Sequence, residues 1–568
     1  MFEGVNASDG IGIGVAQVAV EPDLSFIPTA PSDTEAEKAR YVQARDSFIA
    51  KTEEQIRGME AGGLEEEAGI MQAHVDFATD DAILEMVDDA IDGGTCAEQA
   101  VSDAYDAYYQ MFSSMDDPLF RERAADVADV KKGLLAALLG VELVDLSILP
   151  ENTIVVVADL TPSMTATIDK DHVAGIVTET GGRTSHSAII ARALEIPAVL
   201  SVADCCANIK NGQMVVVNGT DGQVVVEPSD AELAEYRDKA AKLAQEKAAL
   251  EAYRGKPTVT ADGDQVLLVA NIGNPEDANG AAEHDAEGVG LFRSEFLFMD
   301  ASELPSEDEQ FAAYQKVAIR MKDQPVIIRT LDVGGDKEIP YLDLQKEENP
   351  FMGYRAVRYC LANPEQYKVQ LRALLRASAF GDIKIMIPLV TSLTEIRDVN
   401  ALIAECKAEL DAEGIAYNKD IEVGTMIETP AASLIADDLA EECDFFSIGT
   451  NDLIGYTMCA DRGNDRVGYL YNVYQPAVLR SLKRIIECGV NAGIMVGMCG
   501  EAAADPLLIP ILISFGLGEF SVSAPSILRT RKVISQWTKA EADELAEKVL
   551  KLKTDTEVKA ALTAAVKN

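Results

Sequence analysis

Arginine, carboxylate, amide and thiol side chains occur where short apolar runs end in the second half of the chain. Six residues share this placement: Arg293, Arg329, Glu428, Asn451, Asp452 and Cys499. Two guanidinium groups suit a doubly anionic ligand, because each can bind carboxylate or phosphate oxygens through paired hydrogen bonds. Two carboxylates suit Mg²⁺, which takes one or two protein carboxylates and completes its shell with substrate oxygens and water. The set predicts a site for a phosphorylated carboxylate and a divalent cation.

The thiol adds a possible proton donor to this set. Cys499 lies in the sequence GMCGE, where a thiol at a strand end could deliver a proton to bound substrate. Each residue also has a purely structural interpretation: either arginine could be a salt-bridge partner, Glu428 could serve structure alone, and Cys499 could be an inert buried thiol. Their joint occurrence at strand ends favours the chemical interpretation.

A second candidate site lies in the sequence GGRTSHSAIIARALEIPAV, residues 181–199. Two glycines permit a tight turn and SAIIARAL begins an amphipathic helix, which places His186 at the helix start. The unpaired N–H groups and the dipole there would stabilise a phosphate carried on the imidazole. Alternatively, Thr184 or Ser185 simply caps the helix and His186 is a partly exposed first-turn residue. Surface or packing roles are expected for the other three histidines, His74, His172 and His284.

Eight apolar segments alternate with helical stretches in the C-terminal part of the chain. They are residues 266–271, 288–293, 325–331, 383–390, 421–428, 445–450, 494–500 and 520–526. This alternation is typical of a (β/α)8 barrel, although a doubly wound sheet has the same pattern. In a barrel the carboxyl ends of the strands meet at one face, so the six residues above would surround one site.

The N-terminal part of the chain contains two kinds of segment. Residues 1–20 alternate glycine with β-branched residues and strand-like runs resume near residue 145, whereas the block between them has helical periodicity. The sequence therefore predicts a helical block inserted into one α/β domain. The sequence SDAE at Ser229 fits a capping box at the start of a long helix. The predicted segments are an α/β domain (1–29 and 144–228), a helical subdomain (30–143), a linker helix (229–256) and a barrel (257–568).

Composition narrows the classes of protein that this chain could represent. The net charge is −46, from 49 Lys+Arg against 95 Asp+Glu, and such a field repels phosphate backbones, so we expect no nucleic-acid partner. No run approaches the about 18 apolar residues of a membrane-spanning helix, and the N-terminus lacks a signal-peptide pattern, which predicts a cytoplasmic protein without membrane contact. Nine cysteines show no CxxC spacing and only Cys205 and Cys206 are adjacent, so neither disulfides nor a zinc site is predicted.

Ordered motifs along nearly the whole chain resemble those of the enzyme I family of the bacterial phosphoenolpyruvate:sugar phosphotransferase system. They are RERAADVADV (121–130), DLTPSMT (159–165), GGRTSHSAIIAR (181–192), GVGLFRSEFLFM (288–299), RTLDVGGDKE (329–338), ENPFMGYRAVR (348–358), LRASAFG (375–381), ETPAA (428–432), FFSIGTNDL (445–453), DRGND (461–465) and GMCGE (497–501).

This resemblance implies a function and a role for each site residue. His186 would accept the phosphoryl group of phosphoenolpyruvate and pass it to a histidine of the phosphocarrier protein HPr, the first step of sugar uptake. Cys499 would protonate the leaving enolate to give pyruvate, and Thr165 would hydrogen-bond the phosphohistidine. Mg²⁺ would be held by Glu428 and Asp452. Phosphoenolpyruvate would bind through Arg293, Arg329, Asn451 and Arg462, with Lys337 as an additional phosphate contact.

The resemblance also implies an architecture in which the histidine domain swivels. The helical subdomain, residues 30–143, would dock HPr, the barrel would form a homodimer, and the region around the linker helix and Gly255 would be the hinge. Four segments depart from the family pattern without removing a chemical residue: Asp9, Met164, Ile454-Gly455 and the loop 469–479.

Two other functions compete with this interpretation. A pyruvate phosphate dikinase or phosphoenolpyruvate synthase carries a similar histidine domain and barrel, but it needs an ATP-binding domain, for which we see no nucleotide loop in the helical N-terminal block. A catalytically quiet relative would bind HPr without chemistry, and we would expect it to have lost some of the residues assigned above.

Overall fold

The structure is a computed structural model of the chain. It describes all residues except 20, 21, 23, 62–64, 114–117, 142–145, 147, 148, 161–163, 165–167, 169–171, 183–185, 195, 300, 302, 335–338, 343, 346, 463, 465 and 568. The chain divides into two compact units, Met1–Lys247 and Ala248–Asn568. The finer division into four segments stays a prediction.

The first unit contains an eight-stranded mixed sheet. Its strands in spatial order are β1-β8-β7-β3-β4-β5-β6-β2. The pairs β3–β4, β4–β5 and β5–β6 are parallel, whereas the other four neighbouring pairs are antiparallel. The strand bounds are β1 Phe2–Glu3, β2 Val5–Ser8, β3 Ile11–Ala19, β4 Thr153–Val157, β5 Val173–Thr178, β6 Ala198–Leu200, β7 Met214–Asn218 and β8 Gln223–Val226.

The central strand β4 is buried on both faces. Alternate residues of a strand point to opposite sides of the sheet, and on each side the residues of β4 join an apolar core. Val155 and Val157 belong to one apolar core, and Ile154 and Val156 belong to the other. The helices described between β5 and β7 pack on these two cores, and the linker helix follows β8: they are His186–Ala193, Cys205–Asn208 and Asp230–Glu251. At the last of these, the Ser229 hydroxyl accepts from the Glu232 amide and the Glu232 carboxylate accepts from the Ser229 amide, which confirms the predicted capping box.

Glycines in β3 let neighbouring backbones approach closely. A Cβ built on Gly12 would lie 1.9 Å from the carbonyl oxygen of Ala174, and one built on Gly14 would lie 1.9 Å from that of Asn152. The alternation GIGIG at the start of the chain is therefore required by packing against the sheet.

The described residues between β3 and β4 form five helices, although β3 and β4 are neighbours in one sheet. They have their own apolar core, to which Ile83, Val87, Tyr105 and Leu134 contribute. The structure thus shows the insertion that the sequence predicted. The helices are Thr34–Ala61, Glu65–Thr79, Asp81–Asp92, Ala97–Ser113 and Pro118–Leu139.

The second unit is a closed barrel of eight parallel strands, which decides between the two architectures that the sequence left open. Each strand begins and ends within three residues of the predicted position. Their bounds are β9 Leu267–Ile272, β10 Val289–Arg293, β11 Val326–Arg329, β12 Ile383–Ile387, β13 Val423–Ile427, β14 Phe445–Ile448, β15 Met495–Met498 and β16 Glu519–Ser523. The predicted fold class, multidomain α/β with an inserted helical block and a (β/α)8 barrel, is confirmed.

Helices surround the barrel and pack on its outer face. The α-helices are Asp277–Glu283, Phe296–Met299, Glu307–Met321, Val357–Ala362, Pro364–Ala377, Leu393–Glu413, Pro430–Leu434, Ala436–Ala440, Thr450–Met458, Pro476–Ala492, Ile509–Phe515, Ile527–Ser535, Lys539–Val549 and Asp555–Ala564. Short 3-10 turns cover Pro340–Leu342, Pro350–Met352, Gly468–Leu470, Glu501–Ala504 and Ala524–Ser526. Across the described residues, no helix is both long and apolar enough to cross a bilayer.

Candidate active site

The carboxyl ends of the barrel strands bring the predicted barrel residues together. Arg293 ends β10, Arg329 ends β11, and Glu428 and Cys499 directly follow β13 and β15. The helix Thr450–Met458 starts two residues after β14 and supplies two more residues from its first turn. One cavity of about 370 Å³ is lined by Arg293, Arg329, Glu428, Asn451, Asp452, Arg462 and Cys499, among others. This volume lies within the range of small-molecule sites, about 300–1,000 Å³.

Arg329 is both a salt-bridge partner and a candidate ligand-binding group. Its buried guanidinium forms an ion pair with Glu295 and another with Asp332, whose Oδ2 lies 3.2 Å from Nη1. Its Nε has no hydrogen-bond partner within the described part of the chain. A buried donor without a partner costs free energy, and an anionic ligand in the cavity could accept from it. Arg293, by contrast, is exposed at the cavity wall.

Arg355 is a site residue that the sequence reasoning missed. Its Nε and Nη2 donate to Asp332 at 3.1 and 3.0 Å, and Nη2 also donates to Asp452 at 2.9 Å. Its Nη1 donates to the Tyr456 hydroxyl at 3.3 Å. Arg355 follows no strand, so strand-end placement could not reveal it, although it lies in one of the motifs that carry the resemblance. Asp332 could have been found, because it follows Arg329 by three residues.

Glu428 is buried against the barrel mouth and is held by one backbone contact. Its Oε1 accepts from the Leu389 amide at 2.7 Å, and a Cβ on Gly449 would lie 2.7 Å from Oε2. Burial, together with the nearby Asp452 and Asp332, raises the pKa of Glu428 to about 8, although Arg329 and Arg355 lower it. These neighbouring carboxylates suit a divalent cation between Glu428 and Asp452. A cation there would offset the free-energy cost of burying a carboxylate and the repulsion between the two carboxylates.

Cys499 is buried in the cavity wall, with 4% of its surface exposed. Its Sγ donates to the carbonyl oxygen of Ile448 at 3.7 Å. Burial raises the pKa of this thiol to about 11, although Ser447 and Arg329 lower it. The thiol therefore keeps its proton at neutral pH, which is the state that a proton donor requires.

A second cavity of about 440 Å³ adjoins the first and shares Asn451, Asp452 and Arg462 with it. Gly455, one of the departures from the family pattern, lines this second cavity, and a Cβ built on it would lie 3.4 Å from the carbonyl oxygen of Ala460. Asn451 is half-buried, and its carbonyl oxygen accepts from the Tyr471 hydroxyl at 2.9 Å. Lys337, the additional phosphate contact, lies outside the described residues.

The histidine motif lies in the first unit, where a helix begins at His186. Ala188 and Ala191 bury one side of this helix in the sheet core, and the Ser187 hydroxyl donates to Oδ1 of Asp159 at 3.1 Å. These contacts anchor the first turn of the helix to the end of β4. The position of the His186 imidazole is outside the description, as are the three hydroxyl residues of this site, Thr165, Thr184 and Ser185.

Three family models match the chain. Their descriptions are "PEP-utilising enzyme, PEP-binding domain" for residues 247–539, "PEP-utilising enzyme, mobile domain" for residues 149–222 and "PEP-utilising enzyme, N-terminal" for residues 3–123. The first of these covers the barrel cavity and the second covers the histidine motif. The two units thus match separate modules of the same class of enzyme.

Several proteins named phosphoenolpyruvate-protein phosphotransferase resemble the chain along nearly its whole length. One from Bacillus sp. (strain S) is 47% identical over 98% of this chain and 96% of its own length. Those of Staphylococcus carnosus (strain TM300) and Bacillus subtilis (strain 168) are each 46% identical over 98% of this chain, and over 97% and 98% of their own lengths. The chain belongs to the phosphoenolpyruvate-protein phosphotransferase family.

Proposed function

We propose that this protein transfers the phosphoryl group of phosphoenolpyruvate to its own His186 and then to a histidine of HPr, releasing pyruvate. The observation that carries the proposal is the cavity of about 370 Å³ at the barrel mouth, which brings together arginines, a carboxylate pair, an amide and a buried thiol. No nucleotide is needed, because phosphoenolpyruvate itself supplies the phosphoryl group. The relay is proposed to act in the cytoplasm at the start of sugar uptake.

The arginines of the cavity match the charge of phosphoenolpyruvate. We assign Arg293, Arg329 and Arg462 to its phosphate and carboxylate oxygens, with Asn451 as a hydrogen-bonding partner and Lys337 as a further phosphate contact. Phosphoryl transfer depends on positioning and on stabilising charge on the transferred group, so guanidinium groups at fixed strand ends are effective parts. The ion pairs of Arg329 hold its guanidinium in place before substrate arrives.

Glu428 and Asp452 would hold the divalent cation, and Mg²⁺ is the ion that we propose. When bound, this ion neutralises charge on the substrate oxygens. Arg355 serves the same site by orienting one of the two carboxylates, because it donates to Asp452 and to Asp332 together. We therefore assign Arg355 as a positioning residue.

Cys499 would donate its proton to the enolate that remains after phosphoryl transfer. The S–H bond breaks, a C–H bond forms at the methylene carbon, and the product is pyruvate. The raised pKa of the thiol supports this direction, because the group holds a proton until a strong base forms beside it. On the histidine side, Thr165 would hydrogen-bond the phosphorylated ring.

We place HPr on the inserted helices, residues 30–143. Exposed acidic side chains follow one another four residues apart on the helix Asp81–Asp92, at Asp81, Glu85 and Asp89. Residues four apart share one face of a helix, so this face offers a row of negative charge to a basic partner. Charge reversal in Glu85→Lys should weaken HPr binding and make it less sensitive to salt, whereas Glu235→Lys on the linker helix should leave it unchanged.

We also propose a homodimer through the barrel unit. Large apolar side chains are exposed on this unit, including Leu434 at 70% and Tyr469 at 73%. Sedimentation of the full chain at several concentrations tests the proposal, and a monomer at every concentration would contradict it.

The relay itself is tested by intact mass after incubation with phosphoenolpyruvate and Mg²⁺, with and without HPr. We expect one acid-labile phosphate on the wild type, its loss when HPr is added, and no phosphate on His186→Ala. The control His284→Ala removes a histidine of the barrel unit and should be labelled like the wild type. Labelling of His186→Ala would refute the assignment, and an unlabelled wild type would favour the catalytically quiet relative.

A further inference from the structure

A group of soft-metal ligands lies in the first unit, outside the phosphoryl-transfer machinery. Ligand atoms of Glu179, Cys205 and Cys206 all lie within 4.8 Å of one another, and in the described part of the chain this is the one group of three or more such residues. The adjacent cysteines are 26 and 27 positions from the glutamate and no spacing motif connects the three residues, which is why the sequence predicted no zinc site.

We propose that Glu179, Cys205 and Cys206 bind a soft divalent cation of the Zn²⁺ class, with two thiolates, one carboxylate and one water as ligands. Zn²⁺ favours four-coordinate tetrahedral sites with sulfur at about 2.3 Å and oxygen at about 2.0–2.2 Å. These lengths require ligand atoms about 3.5–3.8 Å apart. Because the three ligand atoms lie within 4.8 Å of one another, they reach these separations by approaching at most about 1.3 Å.

The backbone holds the two ligand-bearing segments side by side. The Val202 amide donates to the carbonyl oxygen of Thr178 at 2.9 Å, and the Ser201 hydroxyl donates to that of Gly181 at 2.6 Å. The Cys206 amide donates to the Glu179 carboxylate at 2.9 Å, which orients the carboxylate and leaves it capacity for a cation. A site whose ligands are already positioned loses less entropy when it binds.

The three ligands differ in burial: one is fully buried and two are accessible to solvent. Cys205 is fully buried in the apolar core behind β4, whereas Glu179 and Cys206 are half-buried and reach solvent. An ion can therefore enter from the side of Glu179 and Cys206, and the fourth position there stays open to water. Binding replaces two S–H protons, which leave to solvent, and no oxidation is involved.

The site lies where β5 leaves the sheet for the histidine motif. Glu179 directly follows β5 and precedes Gly181 by two residues. A bound ion would tie this exit to the segment 201–206 through metal–ligand bonds. The inference does not rest on the proposed phosphoryl transfer, because the ligands and the test are independent of substrate.

Cd²⁺ serves as the probe, because its bonds to thiolate sulfur give an ultraviolet charge-transfer band that carboxylate ligands do not give. The full chain is titrated with Cd²⁺ in a non-thiol reductant with excess Mg²⁺, and the band is measured per chain. We expect one equivalent in the wild type, and an at least tenfold weaker binding constant for Cys206→Ser and for Glu179→Gln. Circular dichroism checks that the variants are folded.

Two controls separate this site from other thiols. Cys499→Ala removes the thiol near Glu428 and Cys459→Ser removes an exposed thiol, and both should keep the wild-type band. A wild type without a band would overturn the proposal. So would a wild-type binding constant in Cys206→Ser, or loss of the band in Cys499→Ala.

Discussion

Glu519 provides a test of the barrel's electrostatics through the pH dependence of its stability. This carboxyl opens β16 and is 3% exposed, and its Oε1 has no hydrogen-bond partner among the described residues. Burial raises its pKa from the ordinary 4.5 to about 7, although Lys384 lowers it. The folded barrel therefore prefers the protonated form, and ionisation of this group costs folding free energy.

The sign and size of the effect follow from proton linkage. Below pH 4.5 the carboxyl is protonated in both states and costs nothing, and between 4.5 and 7 the unfolded chain ionises first, so the free energy of unfolding falls as pH rises. Above pH 7 the loss is constant at about 3 kcal/mol, since each pKa unit corresponds to about 1.4 kcal/mol. Glu519→Gln, which cannot ionise, should escape this loss.

Urea unfolding followed by the fluorescence of Trp537 measures the effect. Trp537 is the single tryptophan of the sequence and is buried in the barrel unit, so its emission reports unfolding of that unit. Between pH 5 and pH 8 the stability advantage of Glu519→Gln over the wild type should grow by about 2–3 kcal/mol. The exposed Glu547→Gln on the helix Lys539–Val549 should show no such growth. An equal advantage of Glu519→Gln at both pH values would refute the reasoning.

Three further variants test the site and the sheet. Arg355→Gln should lower the free energy of unfolding of the barrel unit by about 3 kcal/mol, because it removes the arginine that pairs Asp452 and leaves Asp332 paired with Arg329 alone; unchanged Trp537 unfolding would contradict this. Cys499→Ala should slow pyruvate formation about 100-fold or more while binding of phosphoenolpyruvate changes little, and wild-type turnover would reject the proton-donor role. Gly12→Ala should destabilise the first unit by about 3 kcal/mol in circular-dichroism melts, because its Cβ would meet the Ala174 carbonyl oxygen; a wild-type melt would show that the strands can separate.

The strand pattern made the barrel mouth predictable before its geometry was known. Each of Arg293, Arg329, Glu428 and Cys499 was identified because it follows an apolar run, and parallel strands that close into a barrel present such positions at one face. Arg355 could not be identified in this way, because it lies in a loop and reaches Asp332 and Asp452 at the barrel mouth only through the tertiary fold. No local sequence pattern predicts these contacts.

The sequence by itself determined the class of fold, the start of a helix at His186 and the residues at the barrel strand ends. These features depend on hydrophobic periodicity and on residues close together in the chain, and both can be read directly from the sequence. Only the tertiary structure decided that the barrel closes, that Arg355 joins Asp332 to Asp452, and that Glu179 meets the adjacent cysteines 205 and 206. Contacts between residues far apart in the chain depend on how whole elements pack, and packing selects one partner among many that the sequence allows.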